Sequence, residues 1–117
     1  MQAPFPEDPA LKHRILITGG GTGGHLYPAL AVAERLRDEP GVEALLYVGN
    51  ETGIEAAKVP EAGFAFQAIR FSGMPRAVHP DRWLAWSGQL AAAVSRCRGI
   101  LRAFQPTAVF ATGGYVS

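Results

Sequence analysis

Ile15-Leu16-Ile17-Thr18-Gly19-Gly20-Gly21-Thr22-Gly23-Gly24-His25-Leu26-Tyr27-Pro28-Ala29-Leu30-Ala31-Val32-Ala33-Glu34-Arg35-Leu36 runs from an apolar strand, through five glycines and a histidine, into an amphipathic helix. Such a turn binds phosphate. Glycine lets a ligand approach bare backbone N–H groups, and the helix that follows offers unpaired amides at the positive end of its dipole. The phosphate loop of nucleoside triphosphatases is excluded, because it needs a Lys-Ser/Thr pair after the last glycine and His25-Leu26 stand there. Gly19, Gly21 and Gly24 also fit the dinucleotide pattern G-x-G-x-x-G, a weak match within so glycine-rich a run.

Outward from this turn, short apolar runs alternate with helical ones. Strands are predicted at 14–18, 44–48, 65–69 and 108–111, and helices at 26–37, 54–62 and 81–104. Strands that are apolar throughout and joined by helices imply an α/β, Rossmann-like, doubly wound parallel sheet covered on both faces. Pro28, Pro40-Gly41, Gly63 and Pro106 fall where these helices begin or end, whereas Pro60 should kink or end the second helix early. With strand order 3-2-1-4 the winding reverses between the first and fourth strands, and a ligand crevice opens above their carboxyl ends. Both ends are glycine loops, at 19–24 and at Thr112-Gly113-Gly114-Tyr115-Val116-Ser117. Two such loops at one switch point suit a ligand with two phosphates; alone, Gly113-Gly114 would read as an ordinary tight turn.

At 117 residues and 48% hydrophobic, the chain has ample material for one packed domain. Eleven basic against ten acidic residues give a formal charge of +1, which supplies no electrostatic footprint for nucleic acid. Cys97 is the only cysteine, so an internal disulfide or a cysteine zinc site is excluded, which favours the cytoplasm. Residues 1–13 carry three prolines and two acids without an apolar core and read as a flexible leader. No run approaches the ~20 apolar residues of a membrane span. The apolar fourth strand is left at a sheet margin with no helix to follow, which reads as a truncated domain over 14–117.

The third helix carries Trp83, Trp86, Leu90, Val94, Cys97, Leu101 and Phe104 at three- and four-residue spacing, a stripe expected to face the core. The helix is also about twice as long as a strand, so one end must overhang. Its start places Trp83, Leu84 and Trp86 beside Met74, Arg76, His79 and Arg82, a composition suited to an anionic membrane surface. Tyr27 is expected to pack. Glu51 lies beyond the second strand's tip and Glu55 reads as solvated, so neither supplies the ribose-binding acid that a nicotinamide-dinucleotide domain requires.

Gly20-Gly21-Thr22-Gly23-Gly24-His25, Pro28-Ala29-Leu30-Ala31-Val32-Ala33 and Gly113-Gly114-Tyr115-Val116-Ser117 together resemble the amino-terminal domain of the MurG family. Tyr47-Val48-Gly49, Gly53-Ile54-Glu55-Ala56, Val59-Pro60-Glu61-Ala62-Gly63 and Ile69-Arg70-Phe71-Ser72-Gly73 agree, so the resemblance covers residues 14–117. That family comprises glycosyltransferases of family 28 and the GT-B kind, with two Rossmann-like domains. They move N-acetylglucosamine from UDP-N-acetylglucosamine to lipid I, forming lipid II for peptidoglycan at the cytoplasmic side of the membrane. The resemblance implies no cofactor and no metal, an amino-terminal domain that holds the acceptor, and a donor-binding carboxy-terminal domain absent from this sequence. It assigns donor contacts to Gly21, Thr22, Gly23 and Gly24 and an essential role to His25. The acceptor diphosphate falls to Gly113, Gly114, Tyr115 and Ser117. Peripheral membrane attachment and other cell-wall synthesis proteins as partners are implied too. Gly73-Met74-Pro75-Arg76 departs from the glycine- and lysine-rich stretch usual there. His25 stands at a helix start, where the dipole favours the neutral imidazole, and so is a candidate general base for the muramyl 4-hydroxyl; its alternative is a cap or a phosphate contact. A membrane-anchoring, acceptor-binding subunit of a split enzyme is the non-catalytic alternative.

Overall fold

The computed structural model describes residues 12–73, 75, 78–114 and 116. Seven elements follow in the order β1 (His13–Thr18), α1 (Gly23–Arg37), β2 (Val42–Asn50), α2 (Glu55–Glu61), β3 (Phe66–Ile69), α3 (Pro80–Phe104) and β4 (Ala108–Ala111). The four strands form one parallel sheet in the order β3-β2-β1-β4, as the alternation of apolar runs and helices predicts. In register, Ile15 to Thr18 of β1 pair with Ala108 to Ala111 of β4 on one side and with Leu45 to Val48 of β2 on the other.

Alternation along β1 and β2 divides the core. Ile17 and Tyr47 pack with Leu26, Ala29, Leu30 and Ala33 of α1 and Val59 of α2. Leu16, Leu46 and Val48 turn to the opposite face and meet Ala93 and Ile100 of α3 together with Ile69. Period-two strands meeting helices on both sides account for the continuous apolar runs in the sequence.

Several boundaries differ from expectation, two of them next to the glycine loop or the sheet's start. β1 takes in His13, whose amide donates to the Gly41 carbonyl, so the expected leader loses its last residue to the sheet. α1 begins at Gly23 rather than Leu26. Thr22 is its extended N-cap and its carbonyl accepts from the Leu26 amide at 3.0 Å. Glycines are poor helix formers, but tertiary bonds to the β4 loop hold this first turn, overriding propensity. Pro28 therefore lies inside the helix, and its missing N–H leaves the Gly24 carbonyl without the usual fourth-residue donor. Pro60 also lies inside its helix, one residue before the end of α2 at Glu61.

On α3 the buried line is Ala93 and Ile100, flanked by half-buried Cys97 and Phe104. Leu90, Val94 and Leu101 of the expected stripe are exposed, as are Val109 and Phe110 of β4. Ala93 and Ile100, rather than the larger Leu90, Val94 and Leu101, are the α3 side chains buried against the sheet.

Candidate functional site

The glycine loop after β1 and the loop after β4 are joined to each other. Gly20 N–H donates to the Gly113 carbonyl at 3.2 Å, and Thr112 N–H donates to the Thr18 carbonyl at 3.0 Å. The Thr112 hydroxyl donates to the His25 carbonyl at 2.6 Å, while Nδ1 of His25 stands 3.0 Å from the Thr112 carbonyl. A carbonyl can only accept, so Nδ1 carries the hydrogen and Nε2 keeps a lone pair in the neutral ring. The expected switch point is thus a bonded unit: the first turn of α1 is tied to the end of β4.

Close approach explains the second glycine pair. Gly113 and Gly114 have φ of 116° and 109°, where a side chain is strained. A Cβ on Gly113 would stand 2.9 Å from the His25 ring, and one on Gly114 would stand 2.7 Å from the Gly20 carbonyl oxygen. Tyr115 and Ser117, assigned with them to the acceptor diphosphate, lie outside the described residues.

Within the first loop the predicted residues separate by what their amides do. Gly21 N–H already donates to a carboxylate oxygen of Glu55 at 3.1 Å. Gly23 and Gly24 open α1, where amides have no acceptor within the helix and meet the positive end of the dipole. The Thr22 side chain makes no cap bond to the helix and is exposed. Between the loops lies a crevice of about 20 Å³ bordered by Thr18, Gly20, Glu55 and Gly114. The buried Thr18 hydroxyl has no hydrogen-bond partner among the described residues.

Glu55 and Tyr47 are the residues that sequence reasoning missed. Glu55 is 1% exposed, not solvated, and Tyr47 is buried with its hydroxyl donating to the Gly19 carbonyl. Burial, with the Glu55 carboxylate nearby, pushes the Tyr47 phenol up to about 12. The signal was present in Gly49 and Gly53, two glycines shortly before the acid on the turn that leads into α2. Tyr27, expected to pack, is 58% exposed and lies over Gly23 instead. Glu51 is exposed just beyond the end of β2, and both carboxylate oxygens of Glu55 are taken by the Gly21 and Asn50 amides.

The proposed membrane residues part company. The Trp86 ring is half-buried, 6.0 Å from Phe71, with its N–H donating to the Ser72 carbonyl at 3.2 Å. Trp83 meets Trp86 edge to face at 5.9 Å and is 37% exposed; Leu84 is 77% exposed and Arg82 is exposed. Met74 and Arg76 lie outside the described residues. Because α3 starts near the segment that leaves β3, this patch is at the same sheet edge as both glycine loops. No helix among the described residues is long and apolar enough to cross a membrane, and no group of three or more His, Cys, Asp or Glu there could hold a metal.

Residues 15–117 match the glycosyltransferase family 28 N-terminal domain. The chain belongs to that family. Family 28 relatives include a protein of Desulforamulus reducens, 46% identical over 107 residues, covering 88% of this chain and 27% of the relative. A second, from Desulfitobacterium hafniense, is 41% identical over 104 residues, covering 89% and 28%. Both are named UDP-N-acetylglucosamine–N-acetylmuramyl-(pentapeptide) pyrophosphoryl-undecaprenol N-acetylglucosamine transferase. The crystal structure of Acinetobacter baumannii MurG superposes with a TM-score of 0.72 at 30% identity, over 90% of this chain and 29% of that one. The family 28 domain here therefore spans little more than a quarter of the length of these relatives.

Proposed function

We propose that this domain is the acceptor half of an inverting transferase that moves N-acetylglucosamine from UDP-N-acetylglucosamine to lipid I, yielding lipid II. The observation that carries the reading is the mutual bonding of His25 and Thr112, which puts an imidazole with one free nitrogen where two glycine loops meet. The names of the relatives supply the substrates.

In this reading Nε2 of His25 takes the proton of the muramyl 4-hydroxyl as its oxygen attacks the anomeric carbon from the face opposite UDP. The bond from that carbon to the diphosphate breaks with inversion. Amides of Gly23 and Gly24, with the dipole of α1, face the developing charge, and no metal or other cofactor is needed. Gly113 and Gly114, with Tyr115 and Ser117, receive the acceptor's diphosphate. Holding both reactants at one edge lowers the entropic part of the barrier.

The lipid chain of the acceptor enters from the cytoplasmic face of the membrane, against which Arg82, Trp83 and Leu84, with Met74 and Arg76, rest. Trp86 supports that patch from within. Other cell-wall synthesis proteins are natural partners for an enzyme at that surface.

The deciding experiment supplies the full-length protein with labelled UDP-N-acetylglucosamine and lipid I in detergent. Formation of labelled lipid II, retained after a metal chelator is added, is the expected result. Absence of transfer by folded protein would overturn the reading.

A further inference from the structure

Among the described residues Glu55 is the only buried charged side chain. Its two oxygens accept from separate segments: the Gly21 amide at 3.1 Å, in the glycine loop, and the Asn50 amide at 2.8 Å, at the end of β2. Three glycines make the room. A Cβ built on Gly20, Gly49 or Gly53 would stand 2.2, 2.4 or 2.2 Å from atoms of this one side chain. Burying a carboxylate is a poor way to gain stability, because desolvation offsets the bonds it makes. It is a good way to fix a position, since losing either amide leaves an uncompensated charge.

The loop is held at a second point by Tyr47, whose hydroxyl donates to the Gly19 carbonyl. Carboxylate and phenol thus grip the loop from beneath at Gly21 and Gly19, while Gly20 is bonded sideways to Gly113. The Gly21 N–H, pointed at Glu55, is withdrawn from any ligand, and the carboxylate beneath repels a second anion from that half of the loop. Of the loop's later glycine amides, those of Gly23 and Gly24 at the start of α1 are left for a phosphate.

We infer that Glu55 is a positioning residue for the donor phosphates: by holding Gly21 it aims the loop and directs a diphosphate to the Gly23-Gly24 end. The inference rests on the transferase reading for its substrate, but its geometry can be tested without turnover. Glu55→Gln keeps the volume while presenting one carbonyl and one NH₂, so it can satisfy one amide and opposes the other with a donor. In the 117-residue chain, the Gly21 or the Asn50 amide of folded Glu55→Gln, whichever faces the new NH₂, should exchange with solvent at least about tenfold faster than in wild type, while Ile17 and Tyr47 amides stay protected. Unchanged exchange at both amides would overturn the inference.

Should Glu55→Gln not fold, the wild type decides by itself. Gly21 lies on an exposed bend, so protection of its amide supports the bond to Glu55, and exchange at the rate of a free peptide overturns it. In the full-length protein, Glu55→Gln should raise KM for UDP-N-acetylglucosamine about tenfold and leave KM for lipid I unchanged, a typical loss for a supporting partner. A variant that is merely less folded would lower kcat and leave both KM values, and that result would count against positioning. If wild type transfers nothing, the transferase reading fails, and amide exchange still decides the role of Glu55.

Discussion

His25 and Thr112 hold each other by two bonds that run in opposite directions: imidazole Nδ1 to the Thr112 carbonyl at 3.0 Å, and the Thr112 hydroxyl to the His25 carbonyl at 2.6 Å. The pairing spans 87 residues of sequence and joins the first turn of α1 to the end of β4. One nitrogen of the ring is spent on this link, so orientation and tautomer are set before any substrate arrives.

His25→Ala is expected to reduce transfer by the full-length enzyme at least tenfold, a barrier increase of ~1.4 kcal/mol or more. Its cost in stability should be about 1 kcal/mol, one partly exposed hydrogen bond, because the Thr112 hydroxyl still reaches the backbone carbonyl of residue 25. Turnover within a factor of two of wild type, measured beside chemical denaturation, would remove the imidazole from the reaction.

Gly114→Ala tests the contact between the loops. The new methyl would meet the Gly20 carbonyl at 2.7 Å, on a residue whose φ is 109°. A destabilisation of about 1–3 kcal/mol is expected, with transfer falling further than stability because the loops are pushed apart. Gly41→Ala, where a Cβ meets nothing within 4 Å, is the control and should leave both close to wild type.

Much of this was legible in the sequence. Apolar runs of strand length separated by helical ones specify a parallel sheet, and two glycine loops at the ends of β1 and β4 mark its switch point. What escaped was decided by tertiary contact. Gly23 and Gly24 look like loop by propensity but are helical, because Thr112 and the Thr22 carbonyl fasten that turn. Glu55 looks solvated because an acid in a first helical turn ordinarily is; only the glycines folded around it reveal a buried carboxylate. On α3, spacing identifies an apolar stripe without saying which member meets the sheet, and small Ala93 rather than Leu90 or Val94 makes the approach.

Tyr47 gives the fold an alkaline signature. Burial raises its phenol from 10.0 to about 12, with the Glu55 charge adding to the effect. Between those values the folded chain keeps a proton that the unfolded chain has lost, so this contribution is whole below about pH 10 and fades as pH rises toward 12. About 2–3 kcal/mol is at stake over that window. Tyr47→Phe, lacking the bond to Gly19, should be about 1 kcal/mol less stable at pH 8, yet lose less than wild type between pH 8 and 11. Denaturant titrations at the two pH values check this, and equal losses would show that the phenol titrates normally.

The membrane prediction turns on how α3 divides its aromatic residues. Trp86 is tied to Phe71 and the Ser72 carbonyl, so replacing it would loosen the fold and confound any binding measurement. Leu84 and Arg82 are the residues free to meet a bilayer, one by apolar burial and the other by attraction to anionic headgroups. The domain should co-sediment with vesicles containing phosphatidylglycerol, bind phosphatidylcholine vesicles weakly, and be partly released by salt, since the Debye length shrinks from ~8 Å at physiological ionic strength to ~3 Å at 1 M. Leu84→Ser with Arg82→Glu should abolish sedimentation and leave circular dichroism and thermal unfolding close to wild type, because neither side chain is buried. Trp86→Ser should instead lower the unfolding temperature. A folded wild-type chain that stays in the supernatant with anionic vesicles would refute membrane docking through this end of α3.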